Sequence, residues 1–148
     1  VNINNSLIEK LKLVRNSSIT MDEFHNWFKS NAYLLENLFS RGVFLKLEKG
    51  DSDTLMKVLI ELSTACAVCV QIYRTGLFSD RNEFNTCNSI VGLAIASNKL
   101  KRVDKPVCVN SKAHPFAVSA YYRCQNCESI WELAAPEREF VGFWNRVG

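Results

Sequence analysis

Apolar residues recur three and four apart through the first two-thirds of the chain and at every second position through much of the last third. Leu7, Ile8, Leu11 and Val14 fall on one helical face, with Lys10 and Lys12 on the wet side, so residues 6–14 read as a short amphipathic helix. Asn16-Ser17-Ser18 breaks it. Thr20-Met21-Asp22-Glu23 has the form of a capping box, in which the Thr20 hydroxyl meets the Glu23 amide. The helix that follows carries Phe24, Trp27, Phe28, Leu34, Leu35, Leu38 and Phe39. It runs to Ser40, unbroken or restarting at Ser30-Asn31, and Gly42 suits the left-handed position beyond its end. Residues 43–48 alternate from Phe44 onward, which predicts a short strand. After a turn at Lys49-Gly50-Asp51, Ser52 or Asp53 caps a third helix, the longest. Leu55, Val58, Leu59, Leu62, Cys66, Cys69 and Tyr73 stripe one side of it, while Met56, Ile60, Ala67 and Val70 cover much of the rest. A helix apolar on most sides is a central one; Gly76 ends it. Ser79 or Asp80 caps a fourth, with Phe84, Cys87, Ile90, Val91, Ala94 and Ile95 facing inward. Residues 98–104 are polar and read as a loop.

Beyond Pro106 the period changes. Val107-Cys108-Val109 is a short β-branched run, and Asn110-Ser111-Lys112 a turn. Residues 116–123 form a strand that enters a Cys124-x-x-Cys127 tip, and Ile130-Trp131-Glu132-Leu133 returns from it, so the tip of a β-hairpin carries two thiols. Ala135-Pro136 stops the return strand, and residues 140–147 supply a last one. Helices first and strands afterwards give an α+β fold: an N-terminal block of about four helices over residues 1–100, and a small antiparallel sheet over 106–148. With 148 residues, the chain suits one domain with a proper core.

Composition narrows the function only a little. A formal charge of +3 is small for this length, and the basic residues are scattered rather than gathered into a nucleic-acid footprint. Lys99, Lys101, Arg102 and Lys105 alone bunch together, on what reads as a solvated loop. No charged-then-apolar leader opens the sequence. The longest uncharged run, residues 62–73, falls short of the ~20 apolar residues of a membrane span. The expectation is a soluble, cytoplasmic protein whose thiols stay reduced, because Cys66, Cys69 and Cys87 fall within helical apolar stretches rather than in a disulfide framework.

Two thiols on a hairpin turn suit a tetrahedral zinc ion, which needs two further ligands. Cys108 and His114 are the nearest upstream. With Cys124 and Cys127 they make Cys-x5-His-x9-Cys-x2-Cys, provided residues 107–109 pair with the hairpin. The bland alternative is a hairpin with two free thiols, and Glu128 stands where such knuckles usually carry glycine. Cys66 and Cys69 also read Cys-x-x-Cys. Deep inside a helix they lack the positive helix end that would activate a redox pair, so they read as core fillers. His25 faces water beside Glu23 and Asn26, and His114 precedes a proline. Spacing gives neither an activated Ser or Cys, so no catalytic constellation emerges. Around the hairpin, Glu128, Glu132, Glu137 and Glu139 surround Trp131, Phe140, Phe143 and Trp144, with Arg123, Arg138 and Arg146 nearby. That is interface composition, unless Trp131 and Trp144 simply fill the junction of helices and sheet.

Cys108, His114-Pro115-Phe116, Tyr122-Arg123-Cys124-x-x-Cys127, Trp131-Glu132-Leu133, Pro136 and Gly142-Phe143-Trp144 together form a pattern over residues 106–147. It resembles small bacterial immunity proteins of contact-dependent growth inhibition and related polymorphic toxin systems. The resemblance implies a non-enzymatic toxin inhibitor, an antitoxin that covers its cognate toxin by tight protein–protein binding. The slightly basic charge departs from the acidic character of many nuclease inhibitors; it points to an acidic toxin or to binding away from the catalytic cleft. On this reading Arg123, Glu128, Trp131, Glu132 and Trp144 touch the partner. The second reading is a zinc-ribbon-like module that contacts nucleic acid through Arg123, Lys112 and the basic residues at 99–105.

Overall fold

The computed structural model describes residues 2–148. Its helices and strands make an α+β fold, with helices mostly in the N-terminal part and an antiparallel sheet mostly in the C-terminal part. Two compact units share the chain. One contains residues 2–64, Pro106–Asn110 and Gly148; the other contains Ala65–Lys105 and Ser111–Val147. The expected helical part, 1–100, and β-rich part, 106–148, of a single domain do not coincide with these units: the last long helix goes with the sheet, and Pro106–Asn110 goes with the early helices. No helix of the described residues is long and apolar enough to cross a membrane.

The first unit holds α1 (Ile3–Arg15), α2 (Met21–Leu35), α3 (Arg41–Lys49) and α4 (Ser52–Leu62). Each starts at a polar cap. The side chains of Asn2, Thr20, Ser40 and Asp51 accept a backbone N–H from the first turn of their helices, which satisfies donors that a helix start otherwise leaves orphaned. Leu7, Leu11, Phe24, Phe28, Leu35, Phe44, Leu47, Leu55 and Leu59 are buried and build the core. Two expectations fail here. Residues 43–48 are helical, not a strand: the Ser40 cap sets the phase, and Phe44 and Leu47, three apart, turn inward together. Gly42 accordingly sits inside α3 rather than beyond the end of α2. The long central helix is also absent. It stops at Leu62, where the Ser63 hydroxyl donates to the Leu59 carbonyl and the Ser63 backbone turns extended.

The second unit holds α5 (Ala67–Val70), β1 (Gly76–Leu77), α6 (Arg81–Ala96), β2 (Leu100–Val103), β3 (Ser119–Cys124), β4 (Ile130–Ala134) and β5 (Phe143–Arg146). The strands lie in the order β1-β5-β4-β3-β2, all antiparallel. Register pairs Tyr122 with Trp131 and Leu133 with Trp144. Alternation therefore places Leu100, Tyr122, Cys124, Trp131, Leu133 and Trp144 in one apolar cluster with Cys87, Val91 and Ala94 of α6. The two indoles stack, 5.3 Å between centroids and 9° apart. Strand β2 occupies part of the expected loop at 98–104. Only Leu100 of its four residues is buried, too little apolar content to register as a strand. Residues 107–109 form no strand at all; the Val109 amide turns back onto the Pro106 carbonyl.

Asp80 caps α6, and Glu83 three residues on collects several donors. The Ser79 amide, the Arg74 guanidinium and the Tyr73 hydroxyl all donate to its carboxylate, which holds it down to about 2. A carboxylate depressed in the folded state stabilises above its unfolded value of about 4.3, and that contribution fades as pH falls toward the folded value. Denaturant midpoints of the natural chain are therefore expected to drop between pH 5 and about 2, and those of Glu83→Gln to change less over that window. Parallel pH profiles for the two proteins would remove Glu83 from the acid response.

Candidate metal centre

Four thiols meet in the second unit because two short turns each bring a pair of cysteines together. The first follows the early end of α4. Cys66 takes an extended backbone and caps α5, whose single turn swings Cys69 back beside it, 3.8 Å between sulfurs. The second turn follows β3. The Glu128 amide donates to the Cys124 carbonyl and the Cys124 amide to the Ser129 carbonyl, so the chain folds back and returns Cys127 to the strand end. Glu128 holds φ at +66°, the left-handed region in which glycine is at ease; a side chain there costs about 1–2 kcal/mol. Glu128, standing where such knuckles usually carry glycine, adopts the glycine-like backbone of the turn.

Across the centre, Cys66 Sγ lies 3.6 Å from Cys124 Sγ, and Cys69 Sγ lies 3.6 Å from Cys127 Sγ. All four sulfurs fall within 4.8 Å of one another. Cys69 and Cys124 are fully buried, Cys66 and Cys127 half-buried. Backbone amides point at the sulfurs: Cys66 N–H donates to Cys127 Sγ at 3.5 Å, and Asn126 N–H to Cys124 Sγ at 3.4 Å. Ser129 Oγ stands 3.1 Å from Cys127 Sγ.

The electrostatics divide the four. Burial pushes Cys69 up, and contacts with Cys127 add to the shift. Burial also dominates in Cys124, which is raised. Burial opposes ionisation of Cys66 too, but hydrogen bonds from Asn126, Cys69 and the neighbouring thiols outweigh it and bring Cys66 down to about 6. Cys127 is likewise lowered against its burial, by Ser129 and the Cys66 amide. Burial pulls the Arg146 guanidinium down, and the nearby Cys127 and Cys69 work against that shift. The shifts run in opposite directions, Cys66 and Cys127 toward ionisation and Cys69 and Cys124 toward keeping their protons, since four adjacent thiolates repel one another unless a cation sits among them. The cluster can hold a metal ion in exchange for those protons.

The structure brings together Cys124 and Cys127 but neither of the other two expected ligands. Cys108 is buried in the first unit, where its thiol donates to the Arg15 carbonyl. The strand that was to pair it with the hairpin does not form. His114 Nδ1 accepts the Phe116 amide, and its ring lies beside that of Phe116, so it serves its own turn. Cys66 and Cys69 take their places. The expectation of core fillers failed because the helix around them ends before it reaches them; a second Cys-x-x-Cys in the same chain was the available signal.

The expected partner-binding residues also separate. Trp131, Trp144 and Glu132 are 2%, 0% and 0% exposed, so they are core residues and cannot touch a partner. Glu132 lies under the Ser111 and Tyr121 hydroxyls, both of which donate to it. Arg123 remains half-exposed, and Glu128 is exposed at the hairpin tip. Comparison with known protein families, with curated proteins and with solved structures yields no match to this chain, so the chemistry of its own residues carries the functional reading.

Proposed function

We propose that Cys66, Cys69, Cys124 and Cys127 hold one structural zinc ion, and that the chain is a non-enzymatic binding protein of the reducing cytoplasm. One observation carries the metal reading. Zinc–sulfur bonds of about 2.3 Å make a tetrahedron with edges of about 3.8 Å. Three of the sulfur separations here are 3.6, 3.6 and 3.8 Å. An all-sulfur set favours zinc over the oxygen-seeking magnesium and calcium. Four sulfurs also complete the coordination sphere and leave no position for an activated water, which is the arrangement of a structural site. The remaining thiols support a non-catalytic reading: burial pushes Cys87 up to about 12 and raises Cys108, so neither is a ready nucleophile. Exposed Tyr33, Leu34 and Leu38 support protein binding, since neighbouring apolar side chains in water favour a partner surface. The partner implied by the C-terminal pattern is a protein toxin that the chain neutralises.

Elemental analysis of the purified protein should give about one zinc per chain. Cys66→Ser and Cys69→Ser should lose it, and Cys108→Ser and His114→Ala should keep it. Loss in the second pair with retention in the first would restore the ligand set read from the sequence. The partner is tested separately, by co-expression with a toxin domain encoded beside this chain's gene. Survival and a stable complex are expected, weakened by Glu128→Arg at the hairpin tip. Absence of protection would end the toxin reading and leave the zinc site standing.

A further inference from the structure

The sheet ends at β2, which pairs with β3 on one side and with no strand on the other. Along this edge and its flanks stand Lys99, Lys101, Arg102 and Lys105, all exposed, with Asp104 the one carboxylate among them. Register sets Lys101 directly opposite Arg123 of β3. Like charges at opposed positions weaken a strand pair. Ion pairs join Lys12 to Glu9, Lys57 to Asp53 and Arg74 to Glu83, whereas none of these five cations takes part in an ion pair among the described residues. A single edge lysine is enough to discourage unwanted strand pairing. Five cations with an unrelieved cross-strand repulsion exceed that need.

The edge is also held firmly. Leu100 is buried in the apolar cluster, and the Gln125 amide, inside the Cys124–Cys127 turn, donates to the Lys99 carbonyl at 2.9 Å. The thiol turn thus anchors the start of the basic strand.

We propose that β2 is a docking edge for an extended acidic segment of a partner protein. The segment adds as a further strand: main-chain hydrogen bonds supply part of the affinity, and its carboxylates meet Lys101 and Arg123 on one side of the sheet and Arg102 on the other. The proposal rests on the reading of the chain as a binding protein and names the chemistry of what it binds. Nucleic acid would use the same charge without strand pairing, and the two are separable.

The test uses the full chain and fluorescence anisotropy with a labelled peptide of alternating Glu and Val, extended by Asp. Three comparison probes are the same peptide with Lys in place of its acids, the same peptide N-methylated at alternate amides, and a mixed-sequence single-stranded oligonucleotide. Saturable binding of the acidic peptide is expected. Binding should weaken at least about tenfold, or ~1.4 kcal/mol, for the Lys peptide, for the N-methylated peptide and for the Lys101→Glu and Arg123→Glu variants. Equal binding of the N-methylated peptide would overturn strand addition. Oligonucleotide binding without acidic-peptide binding would overturn the protein partner. No response to Lys101→Glu, in a variant with an unchanged circular dichroism spectrum, would overturn the location. Zinc is measured on the same preparations: zinc-free protein that binds the acidic peptide supports the edge while refuting the metal assignment.

Discussion

Cys124→Ser is expected to lose the metal and to destabilise the second unit severely. Cys124 is fully buried at the end of β3, 3.6 Å from Cys66 across the centre, and its backbone closes the turn that returns Cys127. A serine hydroxyl is a poor replacement for a thiolate on a soft ion. Structural zinc binding releases about 10–16 kcal/mol in small domains that depend on it wholly. This unit also has an apolar cluster of its own, so only part of such an amount is at stake, and a loss of more than about 3 kcal/mol is expected. The measurement is a denaturant midpoint for the natural chain, for Cys124→Ser, and for the natural chain treated with a strong chelator. The variant and the stripped protein should behave alike. A variant that keeps one equivalent of zinc and the original midpoint would refute the four-thiol site.

Trp144→Ala is expected to cost about 3–5 kcal/mol, the range for removing a buried large aromatic. Trp144 is fully buried, stacked on Trp131 and tilted against Tyr122 at 6.1 Å. Loss of the aromatic pairing adds about 0.5–1.5 kcal/mol to what the lost area alone removes. Trp144→Phe should recover part of the loss. The effect belongs to folding, so it should appear in urea unfolding of the isolated protein. A Trp144→Ala protein with an unchanged midpoint, but weakened for its partner, would instead return this residue to an interface.

Helices α1 and α6 and the start of α2 were legible because sustained apolar spacing coincides with a capping side chain, at Thr20 and Asp80 above all, although α2 ends at Leu35, short of the expected Ser40. The β3–β4 hairpin was legible because alternation persists on both sides of a compact turn. Short segments misled. Over residues 43–48 the pair Phe44 and Leu47 satisfies a helix while the intervening pattern mimics a strand, and the Ser40 cap decides between them. Ser63 ended α4 without a glycine or proline to announce it. Half of the thiol centre was visible because Cys124 and Cys127 lie on that readable hairpin. The other half is hidden because apolar helical spacing runs on through Cys66 and Cys69, which leaves Cys108 and His114 as the nearest candidate ligands in sequence. Pairing of two distant turns is set by tertiary packing, which local periodicity does not encode.

The interleaving of the two units has a consequence for synthesis and for protein engineering. Pro106–Asn110 belongs with the early helices although α5, α6 and β2 intervene in the chain. Buried Cys108 and Val109 are therefore missing from the first unit until the ribosome has passed them. A fragment cut after Thr64 would lack that piece and expose the apolar sites it covers. Dissection into two separately expressed halves should thus yield an aggregation-prone first half, whereas a fragment extended through Asn110 carries with it an incomplete sheet.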